Sequence, residues 1–173
     1  LTDERILLET KRLILREWTS ADASPLHEIL RDAEVVRGIG DGQPFDLDKT
    51  RKFIAAMQKC ERENVFCRWP VVEKSSGALV GTCGFGRIAE TGEIELGYLF
   101  ARRVWGDGYA TEIAGAVAAY GFKKLGFREI IALTDMENSA SQRVLEKIGF
   151  RQRGIEFFGG DKNLVYVKKK SDE

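Results

Sequence analysis

The run Arg103-Val104-Trp105-Gly106-Asp107-Gly108-Tyr109-Ala110-Thr111 lies between a strand pattern and a helix pattern. Its two glycines remove side chains where a ligand could approach the main chain, and they permit positive φ. Amides at a helix start have no partners inside the helix, and the aligned peptide dipoles add partial positive charge there. Such a start takes phosphate readily, although glycine spacing alone fits a structural turn as well. A P-loop would need Gly-Lys-Ser/Thr where this chain has Gly108-Tyr109-Ala110, and a dinucleotide fingerprint would need a third glycine in place of Thr111. Just upstream, Ile94, Leu96, Tyr98 and Phe100 share one face of a half-buried strand, and Glu93, Glu95 and Gly97 share the other. Downstream, Asn138-Ser139-Ala140-Ser141-Gln142 opens another helix, with Ser139 and Gln142 at capping-box spacing. A strand carboxylate can act as a general base and a hydroxyl as a proton donor. Each can equally be solvated surface or helix cap.

The pattern of the chain supplies a frame for these groups. Residues 11–18 alternate as a first strand, and a helix follows over 20–31, with Ser20 or Asp22 as N-cap and Pro25 in or near its first turn. Gly38 to Gly42 is loop chemistry, after which Asp46 or Asp48 can cap a second helix reaching Glu61. The apolar runs 66–73 and 78–88, parted by Lys74-Ser75-Ser76-Gly77, predict an antiparallel hairpin, and Thr91-Gly92 turns the chain into a fourth strand over 93–100. A third helix is expected over about 108–125, with an apolar stripe at Ile113, Ala114, Val117, Ala118 and Phe122. A fifth strand over 129–134, a helix over 139–148 and two strands near 151–158 and 164–168 complete the order. The later helices end alike, in Lys124-Leu125-Gly126-Phe127 and Lys147-Ile148-Gly149-Phe150, with glycines suited to a left-handed C′ position. The expectation is one α/β domain over residues 1–173 with a mixed sheet.

Composition narrows the function. The 173 residues carry 27 Lys plus Arg against 27 Asp plus Glu, a balance that argues against a general nucleic-acid binder. No apolar stretch nears the roughly 20 residues needed to span a bilayer, and Leu1-Thr2-Asp3-Glu4-Arg5 lacks the form of a signal peptide, so a cytoplasmic protein is expected. Cys60, Cys67 and Cys83 show no metal-ligand spacing and read as reduced thiols. A Cys–His nucleophile pair would have to use His27, the only histidine. Trp18, Trp69 and Trp105 read as packing residues, and the 168–170 lysine run as a solvated strand end.

A basic residue, two others, Gly, any residue and Gly, opening a helix after an antiparallel strand, resemble the acyl-coenzyme A signature of the GNAT N-acetyltransferase superfamily, and Arg103 to Gly108 fit it. The chain is similar to the subgroup containing the ribosomal-protein N-terminal acetyltransferases, which act on alanine or serine. The resemblance runs through Glu9 to Arg16, Val80-Gly81-Thr82-Cys83-Gly84, Ile94 to Tyr98, Trp105 to Glu112, and Asn138 to Phe150. It implies a mostly antiparallel central sheet of about seven strands, flanked by about four helices, with a V-shaped split where a bulge splays the fourth strand from the fifth. Coenzyme A's pantetheine arm would enter that split beside the main chain of Leu99 and Phe100. Its pyrophosphate would rest on amides from Val104 to Ala110, with Arg103 beside it, Trp105, Asp107 and Thr111 in the same loop, and Asn138 as a cofactor contact or cap.

The resemblance further implies direct attack of an amine on the thioester of acetyl-coenzyme A, with no acyl-enzyme and no metal. An α-amine has a pKa of about 7.7–8.0, so a modest base suffices. Glu95 is the candidate base, through water, and Ser141 the candidate donor to the leaving sulfur; a main-chain N–H near Phe100 could hold the oxyanion. Many superfamily members have a tyrosine where this chain has Leu145. The acceptor is a protein N-terminus or a small amine such as a polyamine, amino acid or antibiotic. Transfer of another acyl group, a non-catalytic coenzyme A-binding module and a homodimer stay open.

Overall fold

The computed structural model describes residues 5–172. Among these are eight strands: β1 (Ile6–Glu9), β2 (Leu13–Arg16), β3 (Arg68–Glu73), β4 (Leu79–Arg87), β5 (Ile94–Phe100), β6 (Glu129–Thr134), β7 (Arg151–Phe158) and β8 (Asp161–Lys169). Five α-helices accompany them: α1 (Ala23–Leu30), α2 (Ala33–Val36), α3 (Leu47–Asn64), α4 (Tyr109–Lys123) and α5 (Ser139–Lys147). The strands form one sheet in the order β1-β2-β3-β4-β5-β6-β8-β7. Every neighbouring pair is antiparallel except β5 and β6, which run parallel. The expected GNAT-type mixed sheet with flanking helices is present, with one strand and one helix more than the sequence indicated. The additions are β1, which pairs onto β2, and the four-residue α2, capped by Asp32.

Side-chain chemistry explains the frame. Leu13 and Leu15 are fully buried from one face of β2, and Asp46 caps α3 by accepting from the Lys49 N–H at 2.7 Å. A single turn of 3-10 helix (Ser20–Asp22) leads into α1, where the sequence suggested one continuous helix. The buried Asp22 carboxylate there takes two hydrogen bonds from Arg16, at 2.8 and 2.6 Å, and another from the Thr19 N–H. The ion pair is therefore fully supported where it is buried. Helix α4 buries the expected stripe of Ile113, Ala114, Val117, Ala118 and Phe122. It lies close to the sheet at Gly121, where a β-carbon would come within 2.7 Å of Phe85 Cζ. Phe85 and Phe66 meet Phe127 edge to face, so the aromatic after the α4 glycine closes the core. Gly149, at the C′ position of α5, adopts φ +87°, and Gly126, two residues past the C-cap of α4, adopts φ +73°.

Candidate functional site

The site is built where β5 parts from β6. Across the β4–β5 ladder the register runs unbroken from Gly81↔Phe100 to Arg87↔Ile94, whereas β5 and β6 share one paired position, Glu95↔Ile131. The split is thus present, but no bulge in the β4–β5 ladder makes it; β6 simply leaves β5 after Glu95. The Ala101 N–H donates to Val80 O at 2.8 Å. By ladder alternation the main-chain groups of Leu99 and Gly97 turn to β4, and those of Tyr98 and Phe100 turn to the gap. The polar main chain of Leu99 is thus taken up by the ladder, and that of Phe100 lies beside the gap. Phe100 O accepts from Trp105 Nε1 at 2.8 Å, which leaves the Phe100 N–H and the Tyr98 amide groups facing the opening.

Beyond β5 the chain makes one 3-10 turn (Arg102–Val104), then two glycines in the left-handed region, Gly106 at φ +86° and Gly108 at φ +77°. Gly108 is the N-cap of α4 and brings no side chain to the first-turn amides. A β-carbon at Gly106 would meet nothing within 4 Å, so that backbone is open to approach. Arg103 is exposed, with Nη2 donating to Leu79 O at 3.3 Å beside the loop. Val104 is buried, and Trp105 is half-exposed and latched to Phe100 O by its indole N–H.

A clamp holds this loop from behind. Arg12 donates from Nε to Glu112 Oε2 at 2.7 Å and from Nη1 to Asp107 O at 2.8 Å, and its guanidinium lies over the Tyr109 ring at 4.4 Å. Glu112 also receives the Thr10 hydroxyl at 2.6 Å and the Arg12 N–H at 2.8 Å. Partial burial raises its carboxyl's pKa, but these hydrogen bonds and Arg12's charge outweigh that and hold it below the ordinary value. The Tyr109 hydroxyl donates to Glu73, whose carboxylate keeps the phenol protonated.

The strand alternation sends the expected base and acid to opposite faces of β5. On one face Arg68, Gly84 and Gly97 stand in register across three strands. The Arg68 side chain crosses Gly97, where a β-carbon would fall 2.4 Å from its Nε, and reaches Glu95 Oε2 at 2.9 Å. Glu93, on the same face, is paired with Arg153 of β7, whose hydrogen bonds hold its carboxyl low. On the other face Trp69, Cys83 and Tyr98 are in register, Trp69 meets Tyr120 of α4, and the Tyr98 hydroxyl lies 2.9 Å from Ser141 Oγ of α5. Burial pushes the Tyr98 phenol up to about 12, partly offset by Ser141.

Glu95 and Ser141 therefore lie on opposite faces of β5, Glu95 held by Arg68 and Ser141 beside Tyr98. The capping box expected from Ser139 and Gln142 does not form, because Asn138 is the cap. Its Oδ1 accepts the Ser141 N–H at 3.0 Å, and the Gln142 amide turns back to Met136 O at 3.0 Å. Leu145 is buried in the core. Arg12, Arg68 and Tyr98 carry parts that residue spacing did not assign. For Arg12 and Arg68 no local signal existed, since their partners lie far along the chain. For Tyr98 the signal was the phenol itself, on a face otherwise apolar.

The family described as an acetyltransferase (GNAT) domain matches residues 12–151. The uncharacterized N-acetyltransferase YoaA of Bacillus subtilis (strain 168) is 33% identical over 150 residues, covering 86% of this chain and 85% of that protein. The crystal structure of a GNAT-family acetyltransferase from Bacillus anthracis superimposes with a TM-score of 0.82 at 29% identity, covering 95% of this chain and 98% of that one. RimL, a ribosomal L7/L12 alpha-N-protein acetyltransferase solved with coenzyme A, shares the fold with a TM-score of 0.83 at 17% identity, covering 98% of this chain and 100% of that one.

Proposed function

The chain belongs to the GNAT acetyltransferase family, and from that membership we propose that it moves an acetyl group from acetyl-coenzyme A to the α-amine of a polypeptide by direct attack in a ternary complex. The observation that carries this reading is two sets of main-chain groups beside the split between β5 and β6: the first-turn amides of α4 behind Gly106 and Gly108, and the gap-facing groups of Tyr98 and Phe100. The first set suits a diphosphate. The second suits the amide-bearing pantetheine arm, which completes a strand edge that β6 has left.

The chemistry follows from position. Threading the thioester through the opening brings its carbonyl beside the Phe100 N–H, a donor for the oxyanion. The amine approaches from the face of Glu95 and Arg68, and a water on Glu95 takes its surplus proton. The C–S bond breaks as the N–C bond forms, and the thiolate leaves on the face of Tyr98 and Ser141. A protein α-amine is favoured as acceptor because it is appreciably neutral near pH 7, with a pKa of about 7.7–8.0, so a carboxylate held by an arginine is base enough. The same subgroup resemblance that runs through Trp105 to Glu112 and Asn138 to Phe150 points to this acceptor class.

The test is thiol release from acetyl-coenzyme A with a panel of N-terminal peptides, polyamines, amino acids and aminoglycosides. Turnover with peptides bearing free α-amines, lost on N-terminal blocking, is the expected result. Glu95→Gln should lower kcat by about 100-fold while leaving coenzyme A affinity intact. Turnover only with small amines would replace the acceptor. Coenzyme binding with no turnover on any amine would leave a binding module.

A further inference from the structure

We propose that Tyr98 is a positioning residue for the leaving-group side of the reaction: its phenol donates to Ser141 Oγ, fixes that oxygen as an acceptor, and leaves the serine's own hydrogen to meet the departing sulfur. The proposal rests on the transfer reading above. It extends that reading by making the donor a pair of hydroxyls drawn from two elements, β5 and α5.

Either hydroxyl could donate across the 2.9 Å contact, and the proposal takes the phenol as the donor. Tyr98 lies in register with Cys83 and Trp69, on the half-buried side of the sheet, where an unpaired phenol would carry a desolvation cost. The acceptors offered to it are both on Ser141, Oγ at 2.9 Å and the carbonyl at 3.4 Å. The Ser141 N–H is already given to Asn138 Oδ1, so the residue is fixed at its main chain by the cap and at its side chain by the tyrosine. A serine that accepts from the phenol has one hydrogen left to donate. Burial also keeps the phenol protonated across the working range of pH. Leu145 leaves α5 without a phenol at that position, and Tyr98 brings one to the first turn of the same helix from the facing strand.

No proton leaves either hydroxyl in the step. The N–C bond forms and the C–S bond breaks, the electron pair stays on sulfur as thiolate, and the amine's surplus proton departs through the water on Glu95. Ser141 contributes a hydrogen bond that strengthens as charge gathers on sulfur, and Tyr98 aims it.

The experiment is a double-mutant cycle of Tyr98→Phe and Ser141→Ala. It reads kcat, the KM for acetyl-coenzyme A and the KM for the acceptor that gives wild-type turnover, with thermal midpoints as a folding control. Phe keeps the ring and its packing. The expected result is a fall in kcat of about fivefold for Tyr98→Phe, with both KM values nearly unchanged. Ser141→Ala should fall at least as far, and the double variant should fall no further than Ser141→Ala alone. Wild-type kcat in Tyr98→Phe, or the same fivefold loss in the Ser141→Ala background, would overturn the proposal while leaving acetyl transfer standing. Absence of wild-type turnover on every amine would overturn the transfer reading, and this proposal with it.

Discussion

Replacing Arg12 with Met removes a guanidinium and keeps an apolar stem, and the clamp behind the 103–111 loop allows its effect to be worked out. Two hydrogen bonds vanish, Nε to Glu112 at 2.7 Å and Nη1 to Asp107 O at 2.8 Å. Glu112 is not stranded, because the Thr10 hydroxyl and the residue 12 N–H still reach it. The Arg12 side chain is 40% exposed, so solvent screening discounts the charged bond. The expected loss is about 2 kcal/mol at neutral pH, which lowers the thermal midpoint by roughly 4–8 °C for a chain of this size. Coenzyme A affinity should fall by about three- to tenfold, because a loop no longer held at Asp107 must be ordered on binding. The pH dependence has a defined sign. Glu112 is held below its ordinary value of 4.5, so its contribution is present above that value and is lost as pH falls through the folded-state value. The gap between wild type and Arg12→Met should therefore be full at pH 7 and narrow as pH falls below 4.5. Scanning calorimetry from pH 3 to 8, with calorimetric titration of coenzyme A at pH 7, reads all three. An unchanged midpoint, a gap that widens in acid, or a destabilised variant with wild-type coenzyme affinity would refute the reasoning.

Three other outcomes are expected. Gly108→Val places a β-branched residue at φ +77°, at a cost of about 1–2 kcal/mol read by chemical denaturation, and the side chain beside the first-turn amides should weaken coenzyme A by at least about tenfold in the same titration. Val65 ends α3 at φ +67° while 73% exposed, so Val65→Gly should raise stability by roughly 0.5–1 kcal/mol in urea melts and leave turnover unchanged. Burial pushes the Cys67 and Cys83 thiols well above their ordinary range, so at pH 8 an aromatic disulfide reagent should titrate Cys60 first and reach the other two only after denaturant is added.

Much of this protein was legible in its sequence wherever local physics decides. The period-2 alternation in 93–100 gave both faces of β5, the 3.6-period stripe gave the buried side of α4, and Gly126 and Gly149 marked two helix ends by the backbone angle they alone tolerate. What stayed hidden depends on distant partners. Strand β1 has only four residues and gains its hydrogen bonds from β2, and α2 is shorter than a helix that could stand alone. The site divides the same way. The positive φ of Gly106 and Gly108 was readable from residue type, whereas Arg12 is defined by Glu112 and Arg68 by the bare track over Gly97, both products of folding. At the start of α5, Ser139 and Gln142 had capping-box spacing, yet Asn138 stood one residue earlier and took the cap. Spacing alone does not rank two competent side chains.

The central claim is that the main chain around Gly106 and Gly108, with the opening beside Tyr98 and Phe100, receives coenzyme A. The direct measurement is a ¹⁵N–¹H correlation spectrum titrated with coenzyme A. The amides of Gly106, Gly108, Tyr109 and Ala110 should shift together and most strongly, those of Tyr98 and Phe100 should follow, and the β7–β8 hairpin should stay still. A saturating titration that moves other amides and leaves these six in place would contradict the account.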